Sequence, residues 1–275
     1  MKKESSPEST TEYKFFSEMN SAEYDEEIYT GLPKKIIFIA STPRVGSTLL
    51  SHGLMDIGLS PTTTEFFNVV HRRDFKARWG NLSKEEYLTQ LFRHRTNSSG
   101  IFCVKAHYSQ FKGFKDIVPI NNCHFILIER ENKILQAISL FRGYKTGAWA
   151  SVSKDMDTLS EDGYEFNRIL SCLTDILNQN VEWINFFNQN NVTPIHVIYE
   201  DFEKNYRETL IKIAEEITQT TVQINEIPPP ELEKQRDELT DIFYEKFIGD
   251  LLDRNPVFLE KWKHLLFGSF FSAAK

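Results

Sequence analysis

Ser41-Thr-Pro-Arg-Val-Gly-Ser-Thr48 stands between an apolar run, Lys35-Ile-Ile-Phe-Ile-Ala40, and a stretch whose Leu49, Leu50, Leu54 and Met55 share one helical face. That is a strand–loop–helix arrangement of the kind that binds anions. Backbone N–H groups at a helix start point at a ligand, and the helix dipole favours negative charge there. Within the loop, Gly46 lets the backbone come close, Ser47 and Thr48 offer hydroxyls, and Arg44 offers a permanent charge. A Walker A loop requires a first glycine and a lysine before the hydroxyl residue. Here Ser41 takes the first position and Gly46 is followed directly by Ser47. An ATPase or GTPase reading is therefore disfavoured.

A second cationic fork follows another apolar run, His124-Phe-Ile-Leu-Ile128, as Arg130, and Ser139 lies nine residues further on. A guanidinium at a strand end and a hydroxyl on the next helix suit a phosphate. The carboxyl edge of a parallel sheet is where such sites collect. Two separated anion sites at one edge suit a nucleotide phosphorylated on both its 5′ and 3′ sides. Two side chains can serve as proton acceptors. Glu65 is flanked by Phe66 and Phe67, which are expected to exclude water and raise its pKa. His107, in Val-Lys105-Ala-His107, follows a short strand predicted over 101–104 and titrates near neutral pH without perturbation.

The elements that must position these residues follow from periodicity. Strands are predicted at 36–40, 101–104, 124–128 and 195–198. Helices are predicted after the loop, after the Ser83-x-x-Glu86 capping box, over 132–144, 163–188 and 201–217, and through most of the last 45 residues. Strands alternating with helices imply an α/β fold of three layers, P-loop-like, with a mostly parallel sheet and helices on both faces. Residues 1–33 are expected to form a flexible arm and 34–275 one domain. The net charge of -7 disfavours a general nucleic-acid polymer as partner. Three cysteines, Cys103, Cys123 and Cys172, are too few and too scattered for a disulfide scaffold or a structural zinc. No apolar run approaches a transmembrane length and the N-terminus lacks a signal-peptide core, so a cytoplasmic protein is expected.

Taken together, Ile39-Ala-Ser-Thr-Pro-Arg-Val-Gly-Ser-Thr-Leu-Leu50, Thr64-Glu-Phe-Phe67, Arg130, Gln136-Ala-Ile-Ser139, Phe141-Arg142 and Leu232-Glu-Lys-Gln-Arg-Asp237 resemble the Stf0 family of sulfotransferases. That resemblance implies sulfuryl transfer from 3′-phosphoadenosine 5′-phosphosulfate (PAPS). It implies that Pro43, Arg44, Val45, Gly46, Ser47 and Thr48 hold the 5′-phosphosulfate, and that Arg130 and Ser139 hold the 3′-phosphate. Arg44 and Lys105 would then absorb charge on the breaking bridge. Glu65 matches the glutamate proposed as base in that family, whereas His107 is similar to the histidine base of other sulfotransferases. Both stand open as the base. No metal is expected.

The resemblance points to a carbohydrate or glycolipid acceptor, with a small secondary metabolite such as an alkaloid, O- or N-sulfated, as the alternative. A small-molecule kinase would need the missing Walker lysine. A non-catalytic nucleotide-binding protein would not need the proton acceptors. His52, His124 and His196 read as structural. His71-Arg-Arg73 and Arg93-His-Arg95 read as solvated faces or as patches for an anionic acceptor, and Trp79 and Trp149 as core or rim packing or as groups that stack on an adenine or sugar ring. The apolar tail His264-Leu-Leu-Phe-Gly-Ser-Phe-Phe271 is expected to pack on the domain or to join a homodimer interface.

Overall fold

In the computed structural model, residues 20–25, 29–60, 62–149, 159–221, 227–229 and 237–268 are described. The strands are β1 (Lys35–Ser41), β2 (Ile101–His107), β3 (Cys123–Glu129) and β4 (Ile195–Ile198). They form one parallel sheet in the order β2-β1-β3-β4. The strand order reverses at β1, which has β2 on one side and β3 on the other. Crevices outside the carboxyl ends of strands at such a point are where α/β proteins hold ligands.

Successive side chains of a strand face opposite sides of the sheet. Ile36, Phe38 and Ala40 of β1 enter one buried cluster, and Ile37 and Ile39 enter another. The first cluster is closed by α2 (Val69–Trp79), α3 (Lys84–Arg95), the short α4 (Tyr108–Phe111) and the long α6 (Phe166–Gln189). Its aromatic centre includes Phe38, Phe111, Phe125 and Trp183. The second is closed by α1 (Ser47–Asp56), α7 (Tyr199–Lys204) and α8 (Tyr206–Thr218). A third cluster joins α5 (Lys133–Thr146) and α6 to α9 (Glu238–Arg254) and α10 (Pro256–Leu266). This is the expected three-layer α/β arrangement.

Three local expectations need correction. β2 does not stop at Val104 but pairs with β1 as far as His107, opposite Ser41. His107 is therefore a strand residue. The alternating polar residues Lys105 and His107 hid the strand, because their burial is made tolerable by partners outside it. The single helix expected over 201–217 is two helices. They break at Asn205, whose φ of -120° and ψ of 44° are not helical. Arg95 is not on a solvated face. Its side chain is fully buried against Asn20–Asp25 of the arm, where Arg95 Nη2 lies 2.7 Å from the Asp25 carboxylate. Arg78 Nε and Trp79 Nε1 donate to the same carboxylate at 2.9 and 3.1 Å. These contacts tie α2 to α3 through Asp25. Trp79 itself packs against Phe75 and stacks on His94, so it is core rather than ligand platform.

The loop after β1 is bent by two residues with left-handed backbones, Arg44 (φ 62°) and Gly46 (φ 94°). A Cβ on Gly46 would meet the Tyr199 ring at 2.3 Å. Gly46→Ala is expected to lower stability by at least about 2 kcal/mol in urea unfolding, from backbone strain and the clash together. The added loss should be smaller in a Tyr199→Ala background, where only the strain remains. Asp25→Asn leaves the buried Arg95 guanidinium without its carboxylate, and about 2 kcal/mol should be lost in the same measurement.

Candidate active site

Parallel pairing brings the carboxyl ends of the strands to one edge. Ser41 lies opposite His107, and Glu129 opposite Ile198. The loop 42–46, Lys105, His107, Arg130 and Tyr199 therefore meet there, although the sequence spreads them over more than 150 positions.

The loop is anchored from behind. Gln136 of α5, fully buried, donates through Nε2 to Thr42 Oγ1 at 2.8 Å and to the Pro43 carbonyl at 2.6 Å. Trp183 Nε1 donates to the Ser41 carbonyl at 2.9 Å. Val45 is buried in the apolar cluster, so its contribution at the loop is its backbone. Gly46 caps α1 in the left-handed conformation, and Ser47 and Thr48 form the first turn. Those N–H groups lack intrahelical carbonyl partners, as at every helix start.

The second expected anion site lies against the first. Arg44 Nε donates to Ser139 Oγ at 2.9 Å, and its guanidinium also donates to the Trp149 carbonyl. Arg130 Nη1 donates to the Arg44 carbonyl at 3.5 Å, sits over the Tyr199 ring at 5.4 Å, and faces Glu200 at 3.8 Å. Arg44 thus links the loop to the second site through its side chain and its carbonyl alike. Behind Arg130, the buried Lys133 donates to the Arg130 carbonyl and to the Gly268 carbonyl, the latter at 2.9 Å.

The two candidate bases are neighbours. His107 Nε2 lies 3.7 Å from Glu65 Oε1, and Lys105 Nζ lies 3.8 Å from the same oxygen. Lys105 Nζ also donates to Thr48 Oγ1 at 2.7 Å, so one buried ammonium touches the anion loop and faces the carboxylate. Glu65 Oε2 accepts from Asn68 Nδ2 at 3.0 Å and from Gln110 Nε2 at 2.7 Å. The expectation that the flanking phenylalanines raise the Glu65 pKa is overturned. Burial does push the carboxyl up, but His107, Lys105, His71 and the Asn68 amide together pull it further down, well below the usual carboxylate range. Burial pushes His107 below its ordinary value, helped by Lys105 and opposed by Glu65 and Asp175. His71 is likewise pushed down, by burial first.

Asn68, Gln110 and Tyr199 have no role readable from the sequence, while Gln136 stands in the 136–139 stretch and His71 in the 71–73 basic patch without the contacts found here. The only trace is the three-residue spacing of His107 and Gln110, which the structure uses as a helix cap: Gln110 Oε1 accepts from the His107 N–H at 3.1 Å. His196 is structural, paired at 2.8 Å with the buried Glu129, and His52 and His124 lie in α1 and β3. Trp149 lies on the side of the 42–46 loop, against Gly143 and edge-on to Tyr144, where its carbonyl accepts from Arg44. Of the Gln-containing stretch 232–237, only Asp237 lies within the described residues, where it accepts from Arg142 Nη2 at 2.8 Å. Ser269 to Phe271 of the apolar tail lie outside them, and Leu266 is buried beside α5 and α9. No described helix is long and apolar enough to cross a membrane.

Residues 109–250, just over half of the chain, match the family model of the Stf0 sulphotransferases. The match takes in Arg130, Gln136, Ser139 and Arg142, and starts two residues after His107. No curated protein matches the sequence. Among solved structures, a sulfotransferase from Alicyclobacillus acidocaldarius aligns with a TM-score of 0.46 and 12% identity, covering 83% of this chain and 96% of that one. The chain belongs to the Stf0 sulphotransferase family, and sulfuryl transfer is its class of reaction.

Proposed function

We propose that this protein transfers the sulfuryl group of PAPS to a hydroxyl of a small acceptor, a carbohydrate or glycolipid, with Glu65 as the proton acceptor. The observation that carries this reading is the position of Lys105, whose ammonium is bonded to Thr48 of the anion loop and faces Glu65 Oε1 at 3.8 Å. A fixed cation thus stands between the place where a donor's charged group is held and the place where a proton is taken.

The residues present fit such a donor. Gly46 lets the Tyr199 ring pack directly on the loop backbone, where a Cβ would meet it at 2.3 Å. The first turn of α1 supplies N–H groups, and Arg130 and Ser139 supply a cation and a hydroxyl within reach of the loop through Arg44. When bound, PAPS supplies a sulfuryl group on a good leaving group. The acceptor oxygen forms the new S–O bond, the S–O bond to the 5′-phosphate breaks, and its electron pair leaves with 3′,5′-bisphosphoadenosine (PAP). Lys105 and the α1 N–H groups stabilise the charge that grows on the leaving side.

The acceptor proton goes to Glu65. Its Oε2 is engaged by Asn68 and Gln110, while Oε1 faces His107 Nε2 across 3.7 Å. That gap is longer than a hydrogen bond, and a hydroxyl oxygen about 2.8 Å from each side closes it. In that slot the hydroxyl donates to Glu65 and accepts from His107. As charge builds on the leaving oxygen, Lys105 is drawn toward it and its hold on Glu65 weakens, which raises the basicity of the carboxylate when the proton arrives.

Binding of PAP by titration calorimetry in EDTA tests the donor. Stoichiometric binding is expected. Arg130→Ala and Ser139→Ala should each weaken it by about tenfold, the loss of a charge-assisted hydrogen bond. Glu65→Gln and His107→Ala should leave it unchanged while reducing turnover with PAPS across a panel of glycosides by about a hundredfold or more. Binding of ATP with Mg²⁺ in place of PAP, or full turnover by Glu65→Gln, would overturn the reading. The buried imidazoles also predict a pH dependence of stability. Because His71 and His107 have folded pKa values below the unfolded one, the unfolded chain binds more protons below about pH 6.5. Stability should therefore be fully present above that pH and fall as pH drops through the lower folded values. Melting temperatures between pH 7.5 and 5.5 should show this fall, and His71→Gln should flatten it.

A further inference from the structure

Gln110 touches both members of the Glu65–His107 pair, and its orientation is determined by chemistry. Its side-chain oxygen accepts from the backbone N–H of His107 at 3.1 Å, and a backbone N–H can only donate. Nε2 must then face the other way. There it donates to Glu65 Oε2 at 2.7 Å and lies 3.4 Å from His107 Nδ1. An amide nitrogen carries two hydrogens and accepts none. With one directed at Glu65, the other is directed at His107 Nδ1, which must be unprotonated to receive it. The single proton of the neutral ring is then on Nε2, the nitrogen that faces Glu65 Oε1.

We propose that Gln110 is a positioning residue that sets the tautomer of His107, so that His107 presents Nε2–H to the acceptor oxygen and Glu65 is left as the proton acceptor. The assignment of roles rests on the function proposed above; the tautomer does not. Were Nδ1 protonated instead, two donors would face each other at 3.4 Å, and Gln110 cannot turn away without giving up the His107 N–H. Gln110 is at the third position of α4, a helix of one turn, so its backbone is fixed immediately after β2. The same contact opposes the imidazolium, which carries a proton on both nitrogens. The other groups acting on the ring are the Gln110 backbone N–H, which faces the His107 side chain in the capping box and also opposes it, Lys105 on β2, which opposes it too, and Glu65 before α2 and Asp175 on α6, which favour it.

The test uses the full chain labelled with ¹⁵N-histidine, with no acceptor needed. Long-range ¹H–¹⁵N correlation spectra report which ring nitrogen is protonated, and His107 is assigned by the peaks lost in His107→Gln. The wild type is expected to show the Nε2–H form and to titrate below the ordinary histidine value. Gln110→Ala should give a mixture of tautomers and a titration moved to higher pH. Gln110→Glu, which replaces the donor by an acceptor, should convert His107 to the Nδ1–H form. A cooperative thermal melt and the wild-type far-ultraviolet circular dichroism serve as the check that both variants are folded. An Nδ1–H form in the wild type would overturn the proposal, as would an unaltered tautomer and titration in both folded variants. Wild-type turnover by Glu65→Gln, with the tautomer still obeying Gln110, would overturn Glu65 as base and uphold the positioning role.

Discussion

A lysine ammonium with almost no solvent exposure must have partners, because desolvating a charge is costly unless it is compensated. Lys105 has Thr48 on one side and the Glu65 carboxylate on the other. Those two residues come from a helix start on one face and from a segment that crosses the sheet edge. The Lys105 backbone N–H holds that segment as well, donating to the Thr64 carbonyl at 3.2 Å. Burial of this one charge therefore requires β2, the α1 turn and the Thr64–Phe67 segment to be in register. In meeting its own electrostatic demand it brings the start of α1 and the Glu65 carboxylate together.

The same economy governs the loop. Its glycine is compelled by Tyr199, and its approach to α5 is held by Gln136, which shares that helix with Ser139. Arg44 adopts a left-handed backbone that few non-glycine residues take and commits its side chain to Ser139. Strain of that kind persists where the surroundings over-determine it. Here the surroundings are Gln136 below the loop and Arg130, which donates to the Arg44 carbonyl.

Glu65 illustrates why local sequence misleads on ionisation. Two phenylalanines beside a carboxylate suggest a raised pKa, and burial does act in that direction. But Phe66 and Phe67 point into the aromatic cluster with Phe75, Phe102 and Phe114, leaving the carboxylate to cations delivered by other elements. The sign of the shift is a sum over neighbours that are distant in the chain. His107 was open to the opposite reading for the same reason. Its ordinary pKa suits a base, yet burial pushes that value down and Gln110 Nε2 meets its Nδ1 at 3.4 Å.

Much of the fold was legible from the chain because it depends on short-range patterns. Four apolar runs mark the strands, helical spacing marks the layers, and Ser83-x-x-Glu86 is the capping box it reads as. The loop 43–48, Arg130 and Ser139 stand out in the sequence by charge and hydroxyl type, and the structure brings them close together through Arg44. The true end of β2 was not legible, since Lys105 and His107 look unlike strand core until their partners are known. Neither was the burial of Arg95, which depends on an aspartate 70 positions away. Residue types and local periodicity determined that this chain forms an α/β sheet. Only tertiary structure decided which side chains share that edge, because ionisation state, tautomer and hydrogen-bond direction are properties of neighbours, and neighbours are set by the packing of the sheet.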